Sequence, residues 1–307
     1  MISYIASRFL RAIITLLITV TIVFVFIRLS GDPAAALAPP DVGQEVIDQY
    51  RQKLGLDQPL WRQYTTYVST LATGQFGYSI HTGLPALQLF LDKLPATLVL
   101  GGTALLIALG VGIPLGAIAA LNRDTALDRG VMAFSVFAFA MPNFLFGLAV
   151  ILTGALVFGT FFGASGNLFS LGTLLAPAAT LGLASMGAFA RFARSSVLET
   201  INKPFIIAAE ARGVPRTRRL LRHVAPNAAI PLVTLLGLSL GGLIAGSVVT
   251  EQVFAWPGVG QLLVRSVITR DIAVVQFLVL MVAFTMVCAN FLVDLLYLAI
   301  DPRIRVR

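Results

Sequence analysis

The chain has 307 residues, of which 57% are apolar and 12% charged, with a mean hydropathy of +0.89 and a net charge of +8. Soluble domains lie nearer half apolar and a quarter charged, so ionic side chains are too few to cover a water-facing surface, and a soluble enzyme is excluded. One cysteine and two histidines exclude an internal disulfide and a His-rich metal centre.

A hydrocarbon core of about 30 Å takes roughly 20 apolar residues at about 1.5 Å each, and the charge-free runs suffice for six spans. Ala12 to Ile27, between Arg11 and Arg28, form the first, lengthened by Phe9, Leu10 and snorkelling arginine stems. Leu94 to Asn122 form the second. Gly130 to Ala190 is a 61-residue run without a charge, too long for one helix. The Gly, Ser and Asn residues of 159–172 mark where it turns back, predicting a third span over 132–157 and a fourth over 173–190. Val224 to Thr250 form the fifth and Ile272 to Val293 the sixth.

Six spans leave both termini on one side. Of the 22 Lys and Arg residues, 15 fall on that side, within 8–11, 123–129, 191–222 and 303–307; the other seven are accompanied by eight acidic residues. The positive-inside rule places both termini and the 191–223 loop in the cytoplasm, and this use of arginine accounts for the net charge with lipid, not nucleic acid, as partner. Trp61 and Trp256 fall on the outer side, as interfacial residues do. Arg8, Arg11, the following apolar run and Ala36-Leu37-Ala38 also have the form of a secretory signal, but the run ends against Arg28 and Asp32 as a retained helix does. The resulting division is a first segment over 1–30, an outer loop over 31–93, and a five-helix core over 94–307 that contains the inner loop 191–226.

In the outer loop, Val46, Tyr50 and Leu54 share a helical face ended by Gly55, and Pro59 opens a second helix with Leu60, Tyr64, Val68 and Leu71 on one face, ended by Gly74. These read either as a cap over the spans or as a docking surface for an external partner. In the inner loop, Pro204 stops one helix, and Phe205, Ile206, Ile207, Ala208, Ala209, Glu210, Ala211 and Arg212 form two turns ended by Gly213 and Pro215. A small-faced helix of this kind lets another protein's cleft grip it closely, with Arg216, Arg218, Arg219 and Arg222 near anionic head groups; the alternative is an ordinary basic loop.

Chemistry-bearing motifs are few. No G-x-x-x-x-G-K-[ST] occurs, so ATP hydrolysis would belong to a separate subunit. Gly237-Leu238-Ser239-Leu240-Gly241 matches the nucleophile-elbow pattern but lies inside a charge-free helix, with His223 near its end and His81 on the other side. Those glycines, with Gly242 and Gly246, and Gly112 with Gly116, fit close helix–helix packing, and Cys288 fits a buried apolar side chain. Asp294 and Glu251 are placed near span ends, within reach of water, so no carboxylate is set to carry a proton and an ion-coupled secondary transporter is the less favoured alternative. Pro114, Pro142 and Pro177 interrupt spans two, three and four, either as tolerated kinks or as bends that turn backbone carbonyls toward a passage.

Further segments carry a resemblance that runs over nearly the whole chain. Leu54-Gly55-Leu56-Asp57-Gln58-Pro59 with Trp61 and Tyr64, Gly74-Gln75-Phe76-Gly77-Tyr78-Ser79, Leu94-Pro95-Ala96-Thr97-Leu98, Arg194-Ser195-Ser196, Glu251-Gln252-Val253-Phe254 with Pro257-Gly258-Val259-Gly260, and Asp301-Pro302-Arg303 are its parts. Together they resemble the inner-membrane permeases of binding-protein-dependent ABC importers, in particular the first permease of the dipeptide, oligopeptide and nickel group. That family carries E-A-A, three residues, Gly, nine residues, then a hydrophobic residue two before Leu-Pro. Ala208, Ala209, Gly213, Ala225 and Pro226 fall on it, while Ile207 stands in place of the glutamate and His223 in place of the isoleucine.

The resemblance implies an all-α, six-span, type I ABC importer permease in a bacterial cytoplasmic membrane, a transport subunit without catalytic, metal or cofactor residues of its own. The helix from Phe205 to Arg212, with Gly213 and Pro226, would be the coupling helix seated on an ATP-hydrolysing subunit, and Glu251, Pro142 and Asn143 would belong to a translocation path or outer gate. Partners would be a second homologous permease, two ATP-binding cassette subunits or one fused, which use ATP and Mg, and an extracytoplasmic solute-binding protein. Peptides are the first-choice cargo, with nickel chelates and glutathione as alternatives.

Overall fold

The computed structural model describes residues 2–29, 32, 34–35, 43–53, 55–159 and 170–300, and every regular element among them is helical. The helices are α1 (Ile2–Leu29), α2 (Gln44–Lys53), α3 (Leu60–Ala72), α4 (Ala86–Leu121), α5 (Ala126–Ala140), α6 (Asn143–Val157), α7 (Leu171–Ile201), α8 (Pro204–Ala211), α9 (Arg216–Arg219), α10 (Ala225–Gly241), α11 (Leu243–Val253), α12 (Val259–Ile268) and α13 (Ile272–Ile300), with a π-helical turn over Leu220–Val224. Five stretches, Ala6–Leu29, Ala86–Leu121, Gly172–Ile201, Arg216–Gly241 and Ile272–Leu292, are long and apolar enough to cross a membrane, and the bent pair α5–α6, counted as one broken span, brings the number to six. Leu54, Ala36 to Ala38, most of 159–172 and Asp301 to Arg303, all used above, lie outside the described residues.

The chain forms two compact units, one of residues Met1–Pro95 and Gln261–Arg307, the other of Ala96–Gly260. In the first, α1 packs on α13, so the last span stands with the N-terminal segment although the sequence division set it with the core. α3 lies against the end of α1. Phe24 meets Tyr64 edge-on at 5.4 Å and stacks on Tyr67 at 5.9 Å, and Tyr64 Oη shares a 2.7 Å hydrogen bond with Thr21 Oγ1. Burial of Tyr67 pushes its hydroxyl up to about 12. Arg51 binds Asp32, which holds that carboxyl below the usual range.

In the second unit small residues set the helix spacing. A Cβ on Gly112 would stand 2.6 Å from the Met186 carbonyl oxygen, and one on Gly116 only 2.1 Å from that of Ala190, so α4 and α7 touch backbone to backbone. Gly182 and Gly187, not singled out in the sequence, do the same against Ala104 and Ser135, each carbonyl within 2.7 Å of the added carbon. Such contacts suit a membrane protein, because lipid supplies no hydrophobic force to press helices together. Gly237 and Gly241 are buried in α10.

Two spans differ from expectation at single residues. Span three is broken at Met141-Pro142, and α5 and α6 meet at 101°. Met141 is extended (ψ 123°) because the following proline ring crowds the helical conformation, and Pro142 then serves as N-cap of α6 (ψ 130°). Pro114 and Pro177 instead lie within unbroken helices. Span five is divided at Gly242 into α10 and α11 and is preceded by α9 and the π turn. Trp61 is exposed as expected of an interfacial side chain; Trp256 is not, since it is wholly buried in the second unit.

Candidate functional site

The eight-residue helix α8 is built by its end residues. Pro204 at its first position needs no hydrogen-bond partner. At the other end Gly213 (φ +74°) donates to the Glu210 carbonyl at 2.9 Å and Val214 to that of Ala209 at 3.1 Å. This paired closure requires a left-handed residue, which only glycine supplies without strain.

One side chain fastens the helix to the second unit. Ile206, 2% exposed, enters a cluster of Ala120 from α4, Val197 from α7, Val224 from the π turn and Ala228 from α10. Phe205, Ile207, Ala208, Glu210, Ala211, Arg212 and Gly213 are exposed and Ala209 is half-buried. Glu210 bonds Arg219 at 3.0 Å, joining α8 to α9. Pro226 is exposed in the first turn of α10. One buried side chain thus reaches the ends of three spans, and most of the rest of α8, with Ile207 59% exposed, faces outward.

A cavity of about 200 Å³ lies deeper in the same unit, lined by Gly101, Ala104 and Leu105 of α4, Asn143 of α6, Leu181, Gly182 and Ser185 of α7, and Ser239, Gly242, Leu243 and Gly246. It brings together Asn143, expected on a passage, with Gly242 and Gly246, expected in helix packing. Gly246 has open space where a Cβ would stand, so its small size widens a hollow and closes no contact. The polar groups of the lining are an amide and two hydroxyls, and no charged side chain takes part. Such a surface is wettable and offers no charge to hold an ion.

Glu251 departs from expectation. It is fully buried, with 0% exposure, and does not line this cavity. Thr97 Oγ1 donates to Glu251 Oε1 at 2.7 Å and Ser247 Oγ lies 3.0 Å from the same oxygen, while Thr97 Oγ1 accepts from the Val259 backbone N–H at 2.8 Å. Gly258 and Gly260 close over the carboxylate so tightly that a Cβ would come within 2.4 Å and 2.9 Å of it. Trp256 Nε1 donates to the Ala96 carbonyl at 2.9 Å. The 251–260 segment is thus a turn wrapped round its own carboxylate and fastened to the start of the α4 span. Water does not reach it, because the glycines leave no room.

A second tie holds the opposite region of the unit. Arg194 donates from Nε and Nη2 to the two oxygens of Asp128, at 2.6 Å and 2.7 Å, and Asp128 also accepts from the Asp124 backbone N–H at 3.0 Å. Paired bonding of this kind fixes orientation as well as distance. Ser196 Oγ donates to the Ala228 carbonyl at 2.8 Å, linking α7 to α10.

Long apolar helices, a broken span, an uncharged hollow between them and a protruding pinned helix define a polytopic membrane protein of the transporter class. Residues 112–306 match the family described as binding-protein-dependent transport system inner membrane component, and residues 1–101 match the N-terminal component of such membrane proteins. The chain belongs to this family: it is the permease component of a binding-protein-dependent import system and an integral inner-membrane protein. It is 40% identical, over 89% of its length and 88% of the relative's, to a probable D,D-dipeptide transport system permease protein, DdpB, of Escherichia coli K12. It is 38% identical to the glutathione transport system permease protein GsiC of the same strain, over 99% of both chains. Among solved structures, the inward-facing MetNI methionine ABC transporter contains a chain of the same fold, at TM-score 0.59 and 20% identity, covering 70% of this chain and 97% of that one.

Proposed function

We propose that this chain forms half of the membrane pathway of an ATP-driven importer of short peptides, its other half supplied by a second, homologous permease. The observation that carries the reading is α8, an eight-residue helix with one buried anchor and an otherwise outward face. A pair of ATP-binding cassette subunits, separate or fused, grips that face, and their closure on ATP and Mg moves the pinned ends of α4, α7 and α10 as one body. ATP is hydrolysed on those subunits and no cofactor is held here. Both termini and α8 face the cytoplasm, in keeping with the 15 basic residues on that side, and a solute-binding protein delivers cargo to the opposite side.

Short peptides are favoured because D,D-dipeptides and glutathione, the substrates in the names of two relatives, share that chemistry. The uncharged, hydroxyl-lined cavity fits cargo whose selection is made elsewhere, by the binding protein. The test is uptake by proteoliposomes holding the complete complex. Addition of a binding protein loaded with labelled dipeptide is expected to give accumulation only when ATP is present on the side of α8. Accumulation without an ATP-hydrolysing subunit would overturn the proposal.

A further inference from the structure

Within the first unit, the end of α1, the helix α3 and the first turn of α13 enclose a cavity of about 740 Å³. We infer that it is a binding site for an anionic phospholipid, whose phosphate is held by Arg28 and Arg62 and whose acyl chain lies along Phe24, Tyr67 and Ile272.

Depth is the first argument. Phe24 and Arg28 belong to the last turns of one membrane-crossing stretch, and Ile272, Ala273 and Gln276 to the first turns of another. The cavity therefore stands where hydrocarbon gives way to head groups. Exposed Leu60, Trp61 and Tyr78 surround the same region, the side chains that settle at that boundary.

Chemistry is the second. The lining is mostly apolar, yet it carries two guanidinium groups and no carboxylate, a combination suited to a molecule with one apolar and one anionic part. Asp32, in an adjoining hollow, acts on Arg28 through space, but its hydrogen bonds go to Arg51 and to the Ala34 backbone N–H. The arginines are also held ready. Arg28 Nε donates to Gln63 Oε1 at 2.9 Å with its guanidinium 5.0 Å above the Phe24 ring, and Gln63 Nε2 is fixed by the Gln58 carbonyl at 2.7 Å. Arg62 Nη1 donates to Gln58 Oε1 at 3.2 Å. A preset fork of this kind matches a phosphate. Two adjoining hollows of about 620 and 510 Å³ share walls with the cavity, through Tyr67 and Gln276 on one side and Phe24 and Arg28 on the other. An elongated ligand fits such a chain of spaces. Free phosphate would satisfy the arginines but leave the apolar wall wet.

The inference stands apart from the identity of the cargo; the orientation proposed above sets only the leaflet, the outer one. Native mass spectrometry of the full complex, titrated in detergent with phosphatidylglycerol or phosphatidylcholine, tests it. Phosphatidylglycerol is expected to be retained preferentially, and Arg62→Gln and Arg28→Gln each to lower that retention about tenfold, the worth of a charge-assisted hydrogen bond. Arg62 is exposed, so its replacement leaves folding intact even if Arg28→Gln does not. Equal retention of the two lipids, unchanged retention in both variants, or displacement by millimolar inorganic phosphate would each overturn the assignment.

Discussion

Gly116→Leu is expected to prevent stable folding of the chain. Its first added carbon would stand 2.1 Å from the Ala190 carbonyl oxygen and 2.8 Å from Ala193 Cβ. Neither neighbour is the movable end of a long side chain, so α4 and α7 would have to separate. Over-packing of ordinary cores costs about 1–3 kcal/mol; here the obstacle is backbone, and the separation would reach Ala120 and Val197, two of the residues that hold Ile206. The expected result is loss of the monodisperse protein on size exclusion in detergent. By contrast, Gly246→Ala, placed in open space, should leave the elution profile unchanged, and equal profiles for both variants would contradict this account of the packing.

The second large effect is expected at Glu251. Removing its carboxylate leaves Thr97 Oγ1 without the acceptor it reaches at 2.7 Å in a region closed to water, and the turn over 251–260 loses the group it wraps. Glu251→Ala should cost roughly 3 kcal/mol, in the range for leaving buried polar partners unsatisfied and opening a cavity. Gly258→Ala should be harmful to a smaller degree in the native background, since its Cβ would push the end of the Glu251 side chain off the hydrogen bonds with Thr97 and Ser247. The space vacated by Glu251→Ala removes that clash. The two substitutions are therefore expected to be less than additive in thermal unfolding of the purified complex. Simple additivity would show that Gly258 and Glu251 do not oppose each other across the turn.

Much of this architecture is legible from charge-free runs, because the cost of placing ionic groups in hydrocarbon accumulates residue by residue along a helix and needs no knowledge of the fold. That is why the run from Leu94 to Asn122 falls on α4, which begins eight residues earlier and ends at Leu121, and the run from Ile272 to Val293 falls within α13. α8 is legible to within a residue for another reason, its limits being a proline and a left-handed glycine. Pro142 was not legible as a sharp break, since membrane helices accommodate proline when neighbours satisfy the freed carbonyls. Pro114 and Pro177 show that outcome in the same chain.

Glu251 misled for a different reason. A carboxylate near the end of an apolar stretch ordinarily meets water, and the partner that changes this, Thr97, is 154 residues away in sequence. The signal that could have revealed it was local: glycines at 258 and 260, following Trp256 and Pro257, describe a turn in which backbone must pass close to something. The cavity beside Asn143 likewise depends on how separate helices meet, which hydropathy does not encode. The pairing of Asp128 with Arg194 was hidden by the same separation, because each looked like one more basic-side charge.

The central claim, that α8 transmits mechanical work from a nucleotide-hydrolysing partner, is tested most directly by measuring dipeptide uptake and ATP hydrolysis together in proteoliposomes carrying Ile207→Asp or Gly213→Asp. Ile207 is 59% exposed, so Ile207→Asp is not expected to disturb α8 or the spans; a side chain on Gly213 meets no atom within 4 Å but strains the left-handed closure of α8 (φ +74°), so Ile207→Asp decides where the two variants differ. The account predicts that uptake falls at least about tenfold, a disruption of only about 1.4 kcal/mol at the contact, while the partner continues to hydrolyse ATP. Uptake and hydrolysis that remain linked at the native ratio in both variants would contradict it.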